Sequence, residues 1–185
     1  KARQHTAEGV VFENRPIERI TGRWDLIFSN AALQWLDDHA QLVPKLFSML
    51  NSGGQLVVQV PSNHNHVSQT LLADTASEEP FLSALSGWSR KISVLTIGEY
   101  AQILYSCNAS RIKVLEKVYP HVLQDADSIT QWLAGTALMA YVGRLPHDMR
   151  ELFVEEFRKK LTRVYPDKPV FYPFRRILFS AVRDN

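Results

Sequence analysis

The sequence has few of the features that mark secreted, membrane-spanning or nucleic-acid-binding proteins. It contains one cysteine, Cys107, so an intrachain disulfide is excluded, as is typical of proteins from a reducing cytosol. No apolar run approaches the roughly 20 residues that a bilayer-spanning helix needs, and no signal peptide opens the chain. The net charge of +2 is spread without a basic block, which argues against nucleic-acid binding. These absences predict a cytoplasmic protein with no membrane or nucleic-acid partner.

What the chain does contain is typical of a globular domain. Its 185 residues are enough for one domain with a sizeable core, and its hydrophobic fraction of 45% and aromatic fraction of 10% are ordinary for such a protein. The first residue is Lys1 rather than methionine, which indicates a trimmed or partial chain. We therefore interpret residues 1–185 as a single, partial domain.

Five apolar runs predict β-strands. The run WDLIFS at 24–29 is the strongest, and its nearly continuous apolarity predicts a strand that is covered on both faces. QLVVQVP at 55–61 predicts a buried strand that ends at a proline. The other three predicted strands are 9–14, 111–123 and 174–183.

Helical patterns fill the intervals between these strands. Asp37 or Asp38 caps a helix that contains Pro44, and Thr96 caps a second, amphipathic helix. Further helices are predicted at about 126–142 and 147–164, whereas residues 64–90 are compatible with both loop and helix.

Alternating strands and helices, with a late helical pair before a final strand, predict an open α/β sheet. In such sheets, ligands bind beyond the carboxyl ends of the strands. Asn30 directly follows the strongest strand, where a small polar side chain can meet a ligand. The alternative is structural, because asparagine often satisfies backbone groups in a turn. Taken alone, the residues leave both roles open.

Several segments, taken in order, resemble a known enzyme family. The segment WDLIFSNAALQWLDDH, a helix and then NSGGQLVVQVP are similar to the blocks around the fourth and fifth strands of class I S-adenosylmethionine-dependent methyltransferases. The segments YPHVL, SITQWLAGTALMAY and FRRILFSAVR continue the likeness, which is greatest to the trans-aconitate methyltransferase family. The resemblance covers nearly the whole chain. It implies a Rossmann-like α/β sheet with a helical lid, residues 126–164, inserted before the last strand.

The resemblance also implies features that this sequence lacks. The family's glycine-rich loop, of the form D-x-G-C-G-x-G, and the acidic residue after its second strand are absent, while residues 1–3 resemble the end of the following helix. An N-terminally truncated methyltransferase sheet is therefore implied. In that case residues 1–23 are loosely held, paired abnormally with 24–29 or exchanged with another copy. The exposed sheet edge then invites self-association, and the chain alone binds cofactor poorly.

The cofactor implied by the resemblance is S-adenosyl-L-methionine, and five residues match its binding positions. Asn14 falls where the family has an acid that accepts from the adenine amino group, and its side-chain carbonyl can still accept that hydrogen bond. Arg15 either shields the adenine or is solvated. Asn30 and Ala31 match the segment that passes the sulfonium and the methionine part, and Leu33 begins the following apolar stretch.

The acceptor implied by the resemblance is a small-molecule carboxylate such as trans-aconitate. Arg176 matches a family arginine whose fork of donors suits a carboxylate, and Tyr119 and His121 match aligned positions. Trp132 would place the inserted helices over this site, with Trp35 as a wall of the pocket. The structural alternatives are a surface ion pair for the arginine and ordinary packing for the aromatic residues.

Methyl transfer to a carboxylate requires positioning rather than a catalytic base. The carboxylate is ionised at neutral pH and the sulfonium is an activated leaving group, so alignment and exclusion of water suffice. We therefore expect no catalytic acid–base residue and no metal site. His64 and His66 lie close together, but they lack partners at ligand spacing and fall short of the three or four ligands that zinc requires.

Two other functions are compatible with the residues. One is a different carboxyl methyltransferase, acting on a carrier-bound malonyl group, which resembles the chain well around SNAALQW but less well through the inserted helices. The other is a methyltransferase-like binding or scaffold protein without activity, since only a complete site carries function.

Overall fold

The computed structural model describes residues 7–184, which form a mixed α/β fold. The strands are β1 (Trp24–Asn30), β2 (Leu50–Pro61), β3 (Ser110–Leu123) and β4 (Val170–Val182). The helices are α1 (His39–Ser48), α2 (Val67–Ala76), α3 (Phe81–Ala84), α4 (Ile97–Ser106), α5 (Ala126–Ala134), α6 (Ala137–Val142) and α7 (Arg150–Val164). Short 3-10 turns lie at Ile17–Arg19, Leu33–Trp35 and His147–Met149.

The four described strands form one open sheet in the order β1-β2-β4-β3. β1 and β2 are parallel, and β4 inserts antiparallel between β2 and β3. The register places Asn30 beside Gln59, and Gln59 beside Leu178. The carboxyl ends of β1 and β2 therefore meet at one end of the sheet, which is where open α/β folds bind ligands.

One face of the sheet is covered by α1 and α4. Apolar residues that alternate along the strands, such as Val58 and Phe179, pack with these helices in a first core cluster. Tyr100 of α4 is fully buried there and stacks on Phe179, with ring centroids 4.6 Å apart. This packing fixes the helices against the strands whose ends form the site.

The predicted starts of both helices are confirmed. The Asp38 side chain accepts a hydrogen bond from the Gln41 backbone N–H at the start of α1, and Thr96 forms a reciprocal capping box with Glu99 at the start of α4. Pro44 lies inside α1. Because the caps satisfy backbone donors that have no partner within a helix, these short helices begin at defined residues.

A second core cluster surrounds the part of β4 that extends past the carboxyl end of β2. Helices α2, α3, α5, α6 and α7 contribute to it, and Tyr172 of β4 is buried at its base. Phe153, Phe157 and Leu161 of α7 are fully buried, because a spacing of four residues places them on one helix face. The inserted segment 126–164 thus shares a core with α2 and α3, which we call the helical layer.

The other face of the sheet is uncovered in the described chain. Leu26 and Phe28 of β1 are 55% and 67% exposed, and Leu115 of β3 is 49% exposed. The prediction that the first strong strand is covered on both faces is therefore wrong for residues 7–184. A continuous apolar run indicates two apolar faces, but it does not say what packs against them.

Two predictions about secondary structure are also corrected. Residues 9–14, predicted as a strand, adopt no strand, so within the described chain β1 pairs with β2 alone. The single helix predicted at 126–142 is divided into α5 and α6 at Gly135 and Thr136, since glycine weakens a helix interior. The start of the chain at residues 1–3, which resembles a helix end, lies outside the described residues.

The remaining boundaries differ by a few residues. α7 begins at Arg150 after a 3-10 turn, and β4 begins at Val170, four residues before the predicted start. The undecided segment 64–90 contains two helices, α2 and α3.

Among residues 7–184, no helix combines the length and apolarity required to cross a membrane.

Candidate functional site

The turn that follows β1 has a strained backbone. Ala31 adopts a φ of 50°, a left-handed conformation that costs a residue with a Cβ atom roughly 1–2 kcal/mol. The Ala31 N–H donates to the Gln59 carbonyl at 3.0 Å, and the Gln34 side-chain amide donates to the Ala31 carbonyl at 2.7 Å. Strain of this kind clusters at binding sites, where the surrounding structure holds it in place. The turn that Asn30 predicts is thus present and held in one geometry.

A cavity of about 110 Å³ lies beside this turn, between the sheet and the helical layer. Gln34 and Trp35 form one side of it, Trp132 of α5 forms another, and the loop at 90–94 forms a third. Since Gln34 also donates to the Ala31 carbonyl, one side chain connects the cavity to the strained turn. The other lining residues are Pro61, Asn63, His64, Gln69, Leu133, Thr136, Ala137 and Phe174.

The wall of the cavity carries positive charge. Arg90 and Lys91 line it, and none of the lining residues within 7–184 is an aspartate or a glutamate. The Lys91 ammonium lies 3.8 Å from an Asp37 carboxylate oxygen, so its charge is partly compensated. Arg90 forms no ion pair with any described residue, and its guanidinium lies over the Trp35 ring, 5.1 Å from the ring centroid. An anionic ligand would therefore meet an uncompensated cation here.

Two buried polar atoms at the cavity wall lack a hydrogen-bond partner among residues 7–184: Oε1 of Gln34 and Nδ1 of His64. Burial lowers the pKa of His64, an effect that the Glu116 carboxylate opposes and the Arg90 charge reinforces. A neutral imidazole can donate or accept through Nδ1, depending on its tautomer. Because unpartnered buried polar atoms are uncommon in proteins, these two fit a site whose ligand supplies the partner.

The segment after β1 is held by a buried chain of hydrogen bonds. The Leu33 carbonyl accepts from Nε2 of His39 at 2.8 Å, which leaves Nδ1 to accept from the Tyr100 hydroxyl at 2.5 Å. Burial raises the pKa of Tyr100 to about 12, so the hydroxyl keeps its proton. That oxygen also accepts from the Leu95 N–H at 3.3 Å. This series of hydrogen bonds connects the segment after β1 to the loop before α4, and both segments flank the cavity.

The predicted acceptor-site residues fall into separate places. Trp35 and Trp132 line the cavity. His121 packs behind it, with its ring centroid 4.8 Å from that of Trp132. Tyr119 and Arg176 lie instead on the uncovered face of the sheet. The structure therefore brings two of the five residues together at the cavity and places a third in its support.

Arg176 and Tyr119 belong to a polar cluster at the end of the uncovered face. The Arg176 guanidinium donates to Oε1 of Gln59 at 2.7 Å and lies over the rings of Tyr119 and Phe174, at 5.3 and 4.9 Å. Asn30 lines the same depression. Since Phe174 also lines the cavity, its ring lies between the cavity and this cluster. Within residues 7–184 Arg176 forms a hydrogen bond and ring contacts rather than a surface ion pair.

The predicted cofactor residues are dispersed along the chain. Asn30 and Ala31 lie at the turn after β1. Leu33 is 1% exposed and packs in the first core cluster, so its side chain offers no surface to a ligand. Asn14 and Arg15 lie in an exposed segment without helix or strand, where Arg15 pairs with a neighbouring glutamate at 3.1 Å. A role for Asn14 and Arg15 in cofactor binding stays a prediction.

The two histidines after β2 have different roles. His66 accepts from the Ser68 N–H at 3.2 Å and so caps α2, whereas His64 lines the cavity. In the described part of the chain, no group of three or more His, Cys, Asp or Glu side chains is placed to hold a metal ion. Cys107 ends α4, and burial raises the pKa of its thiol.

Curated proteins of similar sequence show the family to which the chain belongs. The trans-aconitate 2-methyltransferase of Deinococcus radiodurans is 43% identical over 178 residues, which cover 93% of this chain and 68% of that protein. This chain belongs to the trans-aconitate 2-methyltransferase family. The family proteins of Variovorax paradoxus and Rhizobium etli are 36% and 32% identical, over 77% and 90% of this chain. The chain spans 55% and 69% of their lengths. No protein-family model matches the chain.

Solved structures support the fold of this trans-aconitate 2-methyltransferase family member. A loganic acid methyltransferase with SAH has a TM-score of 0.59 at 12% identity, covering 89% of this chain and 63% of that one. The YcgJ protein of Bacillus subtilis has a TM-score of 0.57 at 12% identity, covering 100% of this chain and 75% of that one. At such identities the likeness concerns the fold, and it confirms the predicted Rossmann-like sheet.

The residues present fit part of an S-adenosylmethionine site. Asn30 is exposed at the carboxyl end of β1, where open α/β sheets bind ligands. Gln59 Nε2, a buried polar atom beside Asn30, has no hydrogen-bond partner in the described chain. Together with the small Ala31, it fits a ligand with polar groups that approaches the backbone closely.

The sequence alone does not single out the polar residues of the cavity in this trans-aconitate 2-methyltransferase family member. Arg90 lies in the segment 64–90, whose pattern is compatible with both loop and helix. The sequence therefore does not indicate the direction in which its side chain points. Its one local signal, a basic pair with Lys91, is the same as that of a solvated surface. The local signal of His64 is its spacing from His66, which points only to a metal ligand, and Gln34 has no local signal at all. Their convergence depends on tertiary contacts between distant segments.

Proposed function

We propose that the protein to which this chain belongs transfers a methyl group from S-adenosylmethionine to a carboxylate of a small polycarboxylic acid such as trans-aconitate. The observation that carries this proposal is the cationic cavity, which no acid of the described chain lines and which Gln34 connects to the strained turn after β1. Membership of the trans-aconitate 2-methyltransferase family supports the same reaction. We further propose a cytoplasmic location, which the single cysteine supports.

The residues of this chain position the reactants. When bound, S-adenosylmethionine supplies an electrophilic methyl group on a positively charged sulfur. Trp35 and Trp132 form apolar walls that exclude water from the acceptor, and the turn at Ala31 fixes the edge of the site next to the strand ends. Holding the acceptor in one orientation removes much of the entropic barrier to reaction. Because a carboxylate is ionised at neutral pH, none of these residues has to remove a proton.

We propose that segment 126–164 acts as a lid over the cavity. Trp132, Leu133 and Thr136 line the cavity from α5 and the residues after it, where the helix is interrupted before α6. The segment shares its core with α2 and α3, so we expect the helical layer to move as one unit.

We also propose that the free edge of β1 allows two copies of the chain to associate. Among the described residues β1 pairs with β2 on one side only, and Leu26 and Phe28 are exposed beside the free edge. An unpaired strand edge with apolar side chains is a template for pairing. Sedimentation velocity at increasing concentration should show a mass that approaches twice that of the monomer, and a constant monomer mass would contradict this proposal.

The rate of methyl transfer is expected to be flat between about pH 6 and 8. A carboxyl group with a pKa of about 4 is ionised throughout this range, so no proton has to leave before the reaction. Burial lowers the pKa of His64, which moves its titration toward the acidic end of the range. Single-turnover rates of the full encoded protein, at saturating acceptor, measure this profile, with folding followed over the same pH range as the control.

A rate that rises about tenfold per pH unit in this range would contradict a carboxylate nucleophile, because it would require a base. His64, which lines the cavity, would then be the first candidate, because His121 packs behind Trp132 and does not line the cavity. Absence of methyl transfer to any carboxylate would instead favour the inactive binding protein.

A further inference from the structure

The loop that carries Arg90 is fixed from two directions. The Arg90 backbone N–H donates to the Tyr141 hydroxyl of α6 at 3.4 Å, and the Trp88 ring packs edge-on against Tyr141. On the other side, the Ser93 hydroxyl donates to an Asp37 carboxylate oxygen at 2.9 Å. The loop therefore bridges the helical layer and the segment after β1, and it holds Arg90 at the cavity wall.

The guanidinium of Arg90 is a partly desolvated charge without a protein counter-ion in the described chain. Arg90 is half-buried at the cavity wall, and this burial lowers the pKa of its guanidinium because the cation loses part of its hydration. Removing a charge from water is costly unless another charge or hydrogen bonds compensate it. The Trp35 ring beneath it supplies a cation–π contact, which replaces only part of that hydration.

The nearby acids are engaged elsewhere. Asp37 accepts from the Ser93 hydroxyl and pairs with the Lys91 ammonium. Glu116 accepts from the Ser62 hydroxyl at 2.9 Å, and it does not line the cavity. No described acid is thus left to compensate Arg90, which fits an anionic ligand in the cavity. His64 lines the same cavity and can add a second donor through its unpartnered Nδ1.

We propose that Arg90 binds a carboxylate of the acceptor that is not methylated, so that the cavity selects acids with at least two carboxylates. A carboxylate held by a guanidinium has its charge neutralised and its oxygens engaged, which makes it a poor nucleophile. The reacting carboxylate is then a second one, directed toward the turn at Ala31. This inference rests on the proposed methyl transfer and names the residue that selects the acceptor.

The test compares variants of Arg90 in the full encoded protein. Arg90→Gln is expected to raise the KM for trans-aconitate about 10- to 100-fold, the range that charged hydrogen bonds contribute, with a smaller change in kcat. Arg90→Lys keeps the charge but loses the planar fork, so an intermediate KM is expected. Arg163→Gln, which removes an equal charge from an exposed position on α7, is the matched control and should leave KM unchanged.

Binding is measured separately by tryptophan fluorescence, with the tricarboxylate tricarballylate as the probe and without S-adenosylmethionine, so that no methyl transfer can occur. Trp35 lies beneath Arg90, so its emission should report occupancy without turnover. Weaker binding of the probe by the Arg90→Gln variant, but not by Arg163→Gln, supports the inference even if no methyl transfer occurs. With this binding result, the absence of methyl transfer would count against the proposed function and not against the role of Arg90.

Two results would overturn the role of Arg90. One is an unchanged KM and an unchanged probe affinity in a folded Arg90→Gln variant. The other is a wild-type protein that methylates crotonate, a monocarboxylate, as efficiently as trans-aconitate. Thermal melting of each variant establishes whether it is folded. If the Arg90→Gln variant is not folded, the Arg90→Lys variant provides the comparison.

Discussion

Replacing Phe153 by alanine is expected to lower the free energy of unfolding by about 3–5 kcal/mol, because it empties a fully packed site. Phe153 is 0% exposed on α7. Its ring meets Phe81 edge-on at a centroid distance of 5.0 Å and lies nearly parallel to Tyr141 at 5.8 Å. The substitution therefore leaves a void where α3, α6 and α7 meet. Single domains are stable by only about 5–15 kcal/mol, so this loss is a large part of the total.

The measurement is equilibrium unfolding in urea, followed by circular dichroism. Leu152→Ala is the matched control, because Leu152 is the preceding residue on the same helix and is 45% exposed. The Leu152→Ala substitution should lower the free energy of unfolding by less than about 1 kcal/mol. If the two variants lost the same free energy of unfolding, the buried face of α7 would not be the one described. A destabilised helical layer should also weaken acceptor binding, since Trp132 belongs to it.

Replacing Tyr100 by phenylalanine is expected to cost about 1–3 kcal/mol at neutral pH, the penalty for leaving buried polar groups unpaired. The substitution keeps the stacking on Phe179 but removes the hydroxyl. Nδ1 of His39 then loses its donor and the Leu95 N–H loses its acceptor. The expected consequence is a looser connection between the two segments that flank the cavity.

The pH dependence of stability gives a second measure of the same hydroxyl. The pKa of Tyr100 is raised from 10.0 to about 12 in the folded protein, so the unfolded chain releases this proton first as the pH rises. The stability associated with the neutral hydroxyl is therefore present below about pH 10 and is lost as the pH approaches 12. The phenylalanine variant should lose less stability across this range than the wild type.

The matched control for Tyr100 is Tyr105→Phe, on the same helix. Tyr105 is 72% exposed, so removing its hydroxyl should change the free energy of unfolding by less than about 0.5 kcal/mol. Chemical denaturation of both variants at neutral pH makes the comparison. If Tyr100→Phe were as mild as Tyr105→Phe, the buried hydrogen-bond chain would not exist as described.

Local patterns predicted most of the secondary structure. Thr96 and Asp38 mark real helix starts, because their side chains bond backbone groups within three residues. The apolar run at 55–61 lies in β2, because Leu56, Val58 and Val60 alternate onto the face of the sheet that α1 and α4 cover. Residues 9–14 have an equally apolar pattern but adopt no strand, since a strand also requires a neighbour to bond with.

The candidate site could be predicted only in part. The position of Asn30 at the end of a strand predicts a place at the site, and the resemblance to methyltransferases indicates Trp35 and Trp132, which line the cavity. The same resemblance named Arg176, whose guanidinium contacts Gln59 on the uncovered face rather than the cavity. A motif match gives a position along a strand, but the face on which a side chain meets its ligand depends on what packs there.

The sequence by itself determined the α/β class, the family and the positions of the helix caps and principal strands, because these depend on residues that are close together in the chain. Only the tertiary structure decided that Gln34, His64, Arg90 and Trp132 share one cavity. These side chains come from four separate segments, and their convergence follows from the insertion of β4 between β2 and β3 and from the packing of the helical layer on its extended end. The uncompensated charge of Arg90 has the same origin, since it depends on which acids those contacts bring near and which they engage elsewhere.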